Sequence, residues 1–181
     1  MEAMDAIFSK LAGRQAGDLD ELFAALHAEL RQLARHCLGG QPGQTLTPTV
    51  LVNELYLKLS AARSLSLGDQ QHFFACAARA MRQIVVDAAR ASLAGKRGGD
   101  RLQVTLTDSA AGTSDADLVA LDDAMVSLKA VDPSLHALVE MRFFAGLTME
   151  EIARLRQTSL RSLERDWATA RAFLHAQVAQ P

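Results

Sequence analysis

Aromatic residues are scarce in this chain: one tryptophan, one tyrosine and seven phenylalanines, 5% of 181 residues. Hydrophobic residues still make up 49%, so the core has to be aliphatic and alanine-rich, a composition that favours helices. Proline is rarer still, at four, and no stretch sustains an alternation of Val, Ile or Thr with polar residues. Little room is left for sheet. Two cysteines, Cys37 and Cys76, are too few for a disulfide framework, and each sits inside an apolar helical pattern. Buried free thiols of a reducing cytosol are expected. No run approaches the ~20 apolar residues of a membrane span. The opening MEAMDAIFSKLAGR lacks the basic start and apolar run of a signal peptide. The expectation is a cytoplasmic protein with no membrane contact, long enough for one ordinary domain or two small ones.

The formal charge of −2 hides an uneven distribution. Residues 1–78 carry 6 basic and 8 acidic groups, 79–101 carry 6 and 2, 102–141 carry 1 and 7, and 142–171 carry 6 and 4. Two basic patches flank an acidic middle, the sorting expected of a protein that touches a polyanion at two separate places.

Helical spacing runs through most of the chain. Asp18 with Glu21 three residues on forms an N-terminal signal, followed by Leu19, Leu22, Phe23, Leu26, Leu30, Leu33 and Cys37, and Gly39-Gly40 ends the run. Thr47-Pro48 starts a second helix, with Leu51, Leu55 and Leu59 on one face. Asp69 opens the longest, about 70–94, with Phe73, Ala77, Met81, Ile84, Val85 and Ala88 inward and Arg79, Arg82, Gln83 and Arg90 outward. The stretch GKRGGDRLQVTLTDSAAGTSD, 95–115, breaks the pattern and reads as a linker with one short extended segment at 102–106. Helices are expected again at 116–130, 133–145, 148–156 and 159–178. The fold class is all-α: two small helical domains, 18–97 and 116–181, joined by a flexible linker at 98–115, with an N-terminal segment 1–17.

Enzymatic signatures are sparse. The five histidines are scattered, and none forms the paired arrangement around a glutamate that a zinc hydrolase needs. His72 and Cys76 lie one helical turn apart but have no second ligand pair. GKRGG follows a helix rather than a strand and lacks the spacing that wraps a phosphate. No catalysis, metal or cofactor is expected.

The stretch LTMEEIARLRQTSLRSLERDW, 147–167, is the outline of a helix-turn-helix. Thr148 and Glu151 form a capping box, Ser159 caps a second helix, and Leu160, Leu163, Trp167, Ala170 and Leu174 make its apolar stripe. Arg161, Ser162 and Arg165 are left on the outer face, the spacing a recognition helix uses in the major groove. An ordinary helical hairpin would show the same apolar pattern. The turn holds Gln157 where glycine is usual, at a cost of ~1 kcal/mol if the backbone there is left-handed. Glu164 and Asp166 add negative charge where DNA favours cations.

Taken together, LTPTVLVNELYLKL, HFFACAARAMRQIVVDAARASLAGKRGG and VEMRFFAGLTMEEIARL with SLERDWATARAFL resemble, in this order along residues 18–176, an extracytoplasmic-function (ECF) sigma factor of the sigma-70 family. The strings HFF-x-x-A-A-R-x-M-R-x-I-x-V-D-x-A-R and KRGG look most like a sub-branch associated with Ser/Thr kinases. The resemblance implies a non-enzymatic subunit whose partners are core RNA polymerase and promoter DNA. It places sigma region 2 in 18–97 and sigma region 4 in 116–181. Arg79, Arg82, Gln83, Arg90, Lys96 and Arg97 would then lie along the melted minus-10 strand, where cations neutralise phosphates. Arg161, Ser162 and Arg165 would face the minus-35 element, and the linker would thread toward the RNA exit path. Leu51, Glu54, Leu55 and Lys58 would bind polymerase. Tyr56, Phe73 and Phe74 fit core packing better than base stacking.

One departure from the family concerns the polymerase-binding helix. Its start is usually acidic, whereas here it reads Thr47, Pro48, Thr49 and Val50, with no charge until Glu54. Phosphate on either threonine would restore about −1.5 to −2 charges at a helix N-terminus, where anions are favoured; alternatively Thr47 is only a cap. Two functional readings follow. In one, the chain directs polymerase to promoters and helps open them. In the other, it is a sigma-like interaction module that binds polymerase or an anti-sigma partner without reading promoters.

Overall fold

The computed structural model describes residues 18–38, 46–61, 69–95 and 113–178. Every element there is helical, and no strand occurs among the described residues. The all-α expectation holds. Lys96, Arg97 and the extended segment expected at 102–106 lie outside the described residues.

Helix α1 (Asp18–Leu38) buries Leu19, Leu22, Phe23, Leu26, Leu30, Ala34 and Cys37, one stripe at helical spacing. Helix α2 (Pro48–Ser60) starts where a proline loses no hydrogen bond, and Thr47 Oγ1 accepts from the Val50 N–H at 3.3 Å. Helix α3 (Gln70–Gly95) opens with Asp69 Oδ1 accepting from the His72 N–H at 3.0 Å. Helix α2 packs against both α1 and α3. Phe23 sets its ring edge-on to Tyr56 and Phe73, with centroids 5.2 and 6.3 Å away. These aromatics build the core, as their spacing implied.

Helix α4 (Asp115–Val131) is capped by Ser114, whose side chain accepts from the Asp117 N–H at 3.2 Å. Helix α5 (Pro133–Val139) is capped by Asp132, which accepts from the N–H groups of Ser134 and Leu135 at 2.8 and 3.0 Å. A single helix was expected over 133–145. Instead the chain widens into a π turn at Glu140–Phe144, with the Ala145 N–H bonded to the Glu140 carbonyl at 3.0 Å. Its sequence, EMRFF, supplies the reason: Glu140, Met141, Phe143 and Phe144 are all buried, more than one face of a 3.6-residue helix can turn inward. Helix α6 (Met149–Leu155) and helix α7 (Leu160–Val178) complete the fold.

Helix α4 packs on α5 and α7, and α6 on α7. Helix α3 also packs against α4 and the π turn, so helices from the two halves of the chain share one continuous apolar core. That contact changes the expected outline of α3. Phe73, Ala77, Met81, Ile84 and Val85 are buried as expected and Ala88 only half so, but Ala78, Ala80, Val86 and Ala89 are buried too. One apolar stripe would not bury that set; a second face of the helix is covered.

Candidate nucleic-acid and polymerase interfaces

The helix-turn-helix is fixed at both of its internal boundaries by local chemistry. Thr148 Oγ1 accepts from the Glu151 N–H at 3.2 Å while Glu151 Oε2 accepts from the Thr148 N–H at 2.8 Å, the reciprocal capping box expected from TMEE. At the other end Gln157 takes a φ of 52°. The Thr158 N–H reaches the Ala153 carbonyl at 3.0 Å and the Gln157 N–H the Arg154 carbonyl at 3.1 Å, the two bonds of a Schellman ending. The turn therefore uses the left-handed position that glycine normally fills, with glutamine in it. Ser159 Oγ accepts from the Ser162 N–H at 3.1 Å and starts α7.

Leu163, Ala170 and Leu174 of α7 are buried and Trp167 is half-buried. Leu160, expected in that stripe, is instead 37% exposed, because it opens the helix beside the exposed turn residues Gln157, Thr158 and Ser159. Arg161 and Arg165 are exposed one turn apart, with Ser162 half-buried between them and its Oγ accepting from Arg165 Nη2 at 3.3 Å. Thr169 Oγ1 donates to the Arg165 carbonyl at 3.0 Å. Glu164 is exposed on this helix. Asp166 is half-buried, and its charge supports Arg156, whose guanidinium pKa burial lowers and Asp166 and Asp132 raise. Arg156 Nη2 donates to the Ser134 carbonyl at 3.1 Å. Asp166 thus works inside the domain.

On α3, Arg79 and Gln83 are exposed, as the outer face predicted. Arg82 is not on that face. Its side chain is only 13% exposed; Nη1 meets Asp122 Oδ1, and Nε donates to Glu140 Oε1 at 3.0 Å. Arg90 is half exposed and donates to the other oxygen of Asp122, Oδ2, at 2.8 Å, with Asp123 Oδ1 at 3.8 Å. The acceptors come from α4 and the π turn. Beside them lies buried His136, its Nδ1 3.7 Å from Glu140 Oε2. Burial pushes the His136 imidazole down from 6.5 to about 4, with the Arg82, Lys129 and Arg79 charges adding and Asp122 opposing. Burial also raises the Glu140 carboxyl, against the lowering pull of Arg82. Asp122, His136 and Glu140 were not singled out from the sequence. Their signal was there in the charge map: a basic segment at 79–101 with an acidic one at 102–141 next to it.

On α2, Leu51 and Leu55 are fully buried and form the core beneath the helix. Its outer surface is made by Glu54 and Lys58, both exposed, with Val50 at 41% and Leu57 at 57% exposure. Thr47 and Thr49 are exposed at its start, and no acidic residue occupies the first turn. Tyr56 donates to Asp20 Oδ1 at 2.6 Å and ties α2 to α1. His72 Nε2 and Cys76 Sγ sit 3.5 Å apart, and no group of three or more metal-ligating side chains occurs among the described residues.

The profile for ECF sigma factors matches residues 6–180. The chain belongs to the ECF sigma factor family. Comparison with curated proteins and with solved structures found no match. As an ECF sigma factor it serves transcription initiation and binds core RNA polymerase and promoter DNA; members of this family are not enzymes. None of the described helices of this sigma factor is long and apolar enough to cross a membrane.

Proposed function

We propose that this ECF sigma factor reads the minus-35 element with Arg161, Ser162 and Arg165 of α7 and lines the melted minus-10 strand with Arg79, Gln83, Arg82 and Arg90 of α3. Residues 18–97 act as sigma region 2 and 116–181 as sigma region 4, joined by the linker at 98–115. Lys96 and Arg97 extend the basic strand-facing run beyond α3. The observation that carries this reading is the exposed pair Arg161 and Arg165, held one turn apart directly after a capped turn. Side chains at that spacing reach adjacent base edges in the major groove.

Docking on polymerase uses the exposed face of α2, with Glu54, Lys58, Val50 and Leu57, above the supporting Leu51 and Leu55. A Ser/Thr kinase of the cell regulates that docking. Thr47 is engaged in capping its own helix, so Thr49 is the better phosphate acceptor. Phosphate there would gain from the helix dipole and could form charge-assisted pairs with basic groups across the interface. One specific observation favours the other reading, a module that binds polymerase or an anti-sigma partner without reading promoters: Glu164 is exposed beside the arginines of α7, where it repels phosphate.

In vitro transcription with core polymerase on the region upstream of the protein's own gene separates the two. Thr49→Asp should transcribe more than unmodified wild type, and replacing Arg161, Ser162 and Arg165 together by alanine should relax minus-35 preference, each lost base contact costing about 1–3 kcal/mol. Promoter footprints unchanged by the triple replacement would support the interaction module instead. Equal output from Thr49→Asp and unmodified wild type would remove the phosphate switch.

A further inference from the structure

Helix α7 carries two carboxylates near its start, and they have different fates. Asp166 is half-buried, and its charge supports Arg156 inside the domain. Glu164 is exposed, and among the described residues no hydrogen bond or ion pair engages it. Two arginines stand close to it on the same helix, and neither takes it. Arg165 Nη2 donates to Ser162 Oγ at 3.3 Å instead. Arg161 lies three residues ahead of it, and a base placed before an acid is the weaker order for a helical pair. Successive residues turn by about 100°, so Arg161, Glu164 and Arg165 fall within an arc of about 100°. That arc lies away from the buried Leu163, Ala170 and Leu174. An unpartnered carboxylate therefore stands in the surface that carries the minus-35 arginines. We infer that Glu164 is a base reader: its carboxylate accepts from the N4 amino group of a cytosine and fixes one position of the minus-35 element. This inference rests on the reading of α7 as the recognition helix.

The chemistry of the major groove selects the base. Glu164 lies four residues after Leu160, the first of α7, in the part of a recognition helix that reaches base edges. An ionised carboxylate only accepts hydrogen bonds. Guanine shows it two acceptors, N7 and O6, and thymine shows O4, so both repel it. Adenine offers its N6 amino group, but N7 stands beside that donor and repels the second carboxylate oxygen. Cytosine offers the N4 amino group with no acceptor next to it on the groove edge. Negative charge near the phosphates is unfavourable at every sequence, and only a cytosine in register offsets it. Glu164 thus discriminates by penalising wrong bases as much as by rewarding the right one. The same charge that weakens binding to DNA at large sharpens the choice among sequences.

The test uses the full chain assembled with core polymerase. A template library keeps the sequence upstream of the protein's own gene and randomises only the minus-35 window; bound templates are sequenced. Wild type should favour cytosine at one position by about fivefold or more over the other bases. Glu164→Ala should lose that preference, keep those at neighbouring positions, and bind mismatched templates more tightly than wild type does. Glu164→Gln, an amide of the same shape, should move the preference at that position toward adenine, whose N6 and N7 match an amide. Base preferences identical in wild type and both variants, with binding raised uniformly, would show that Glu164 only repels phosphate and would overturn the inference. Should Glu164→Ala lose its helical circular dichroism, Glu164→Gln decides. The triple alanine variant of Arg161, Ser162 and Arg165 separates this failure from that of the parent reading. Preferences that vanish in it but persist in both Glu164 variants sink the Glu164 assignment alone, whereas a wild type with no preference anywhere in the window sinks both.

Discussion

Gln157 adopts a φ of 52°, a conformation in which a side chain's Cβ costs about 1–2 kcal/mol. Glycine would remove that strain but adds chain entropy to the unfolded state, about 0.5–1 kcal/mol. The balance favours Gln157→Gly by roughly 0.5–1 kcal/mol, and thermal melting should rise by about 2 °C. An unchanged or lower midpoint would mean that the exposed glutamine compensates for its own backbone. At His136 the sign runs with acidity. A histidine whose folded pKa lies near 4 and whose ordinary value is 6.5 gives stability that is complete above 6.5 and lost as pH falls toward 4. The loss is roughly 3 kcal/mol across that window. Glu140, with a raised pKa, works oppositely: its contribution is present at low pH and fades as pH rises through its folded value, so it softens the acid end of the decline. Urea denaturation at a series of pH values should show the falling midpoint in wild type and a flatter curve in His136→Gln.

The corner between the π turn and α6 depends on Gly146 for two separate reasons. Its φ is 69°, and His36 occupies the space a Cβ would need. Gly146→Ala should lower stability by more than about 1 kcal/mol, and trimming the neighbour in His36→Ala/Gly146→Ala should recover the steric part but not the backbone part. Equal stability of the single and double variants would show that the imidazole simply turns aside. Elements with local signals were legible in the sequence. Thr47-Pro48, Asp132-Pro133, the Thr148/Glu151 box and Ser159 each place a helix start, because a cap acts within four residues of itself. The exposed arginines of α7 followed from the same periodicity. What escaped was set by distant partners. The π turn arises from packing four of five consecutive residues inward, and the second covered face of α3 exists only because α4 lies on it. Leu51 and Leu55 belong to the core for the same reason, since the helix periodicity alone cannot say which apolar positions a partner reaches.

At the scale of the molecule, the uneven charge map has an internal meaning as well as an external one. The basic run at 79–101 was expected to face a polyanion, yet its Arg82 and Arg90 face Asp122 and Glu140 of the acidic run at 102–141. Sequence sorting by charge reports that opposite surfaces exist; it does not report whether they meet within the chain or across an interface. Here they meet at a shared core that runs from Leu19 to Leu174. Burial of the ion pairs makes this meeting specific in register more than strong. The geometry of Asp122 has a genetic corollary. Arg82 and Arg90 stand eight residues apart, about 12 Å along the helix, and a single carboxylate serves both. Aspartate and asparagine codons differ by one nucleotide, so one point mutation weakens the hold on both arginines together. A lineage carrying this chain can therefore loosen the contact between α3 and α4 in a single mutational step, leaving the sequences of α3 and α7 unaltered.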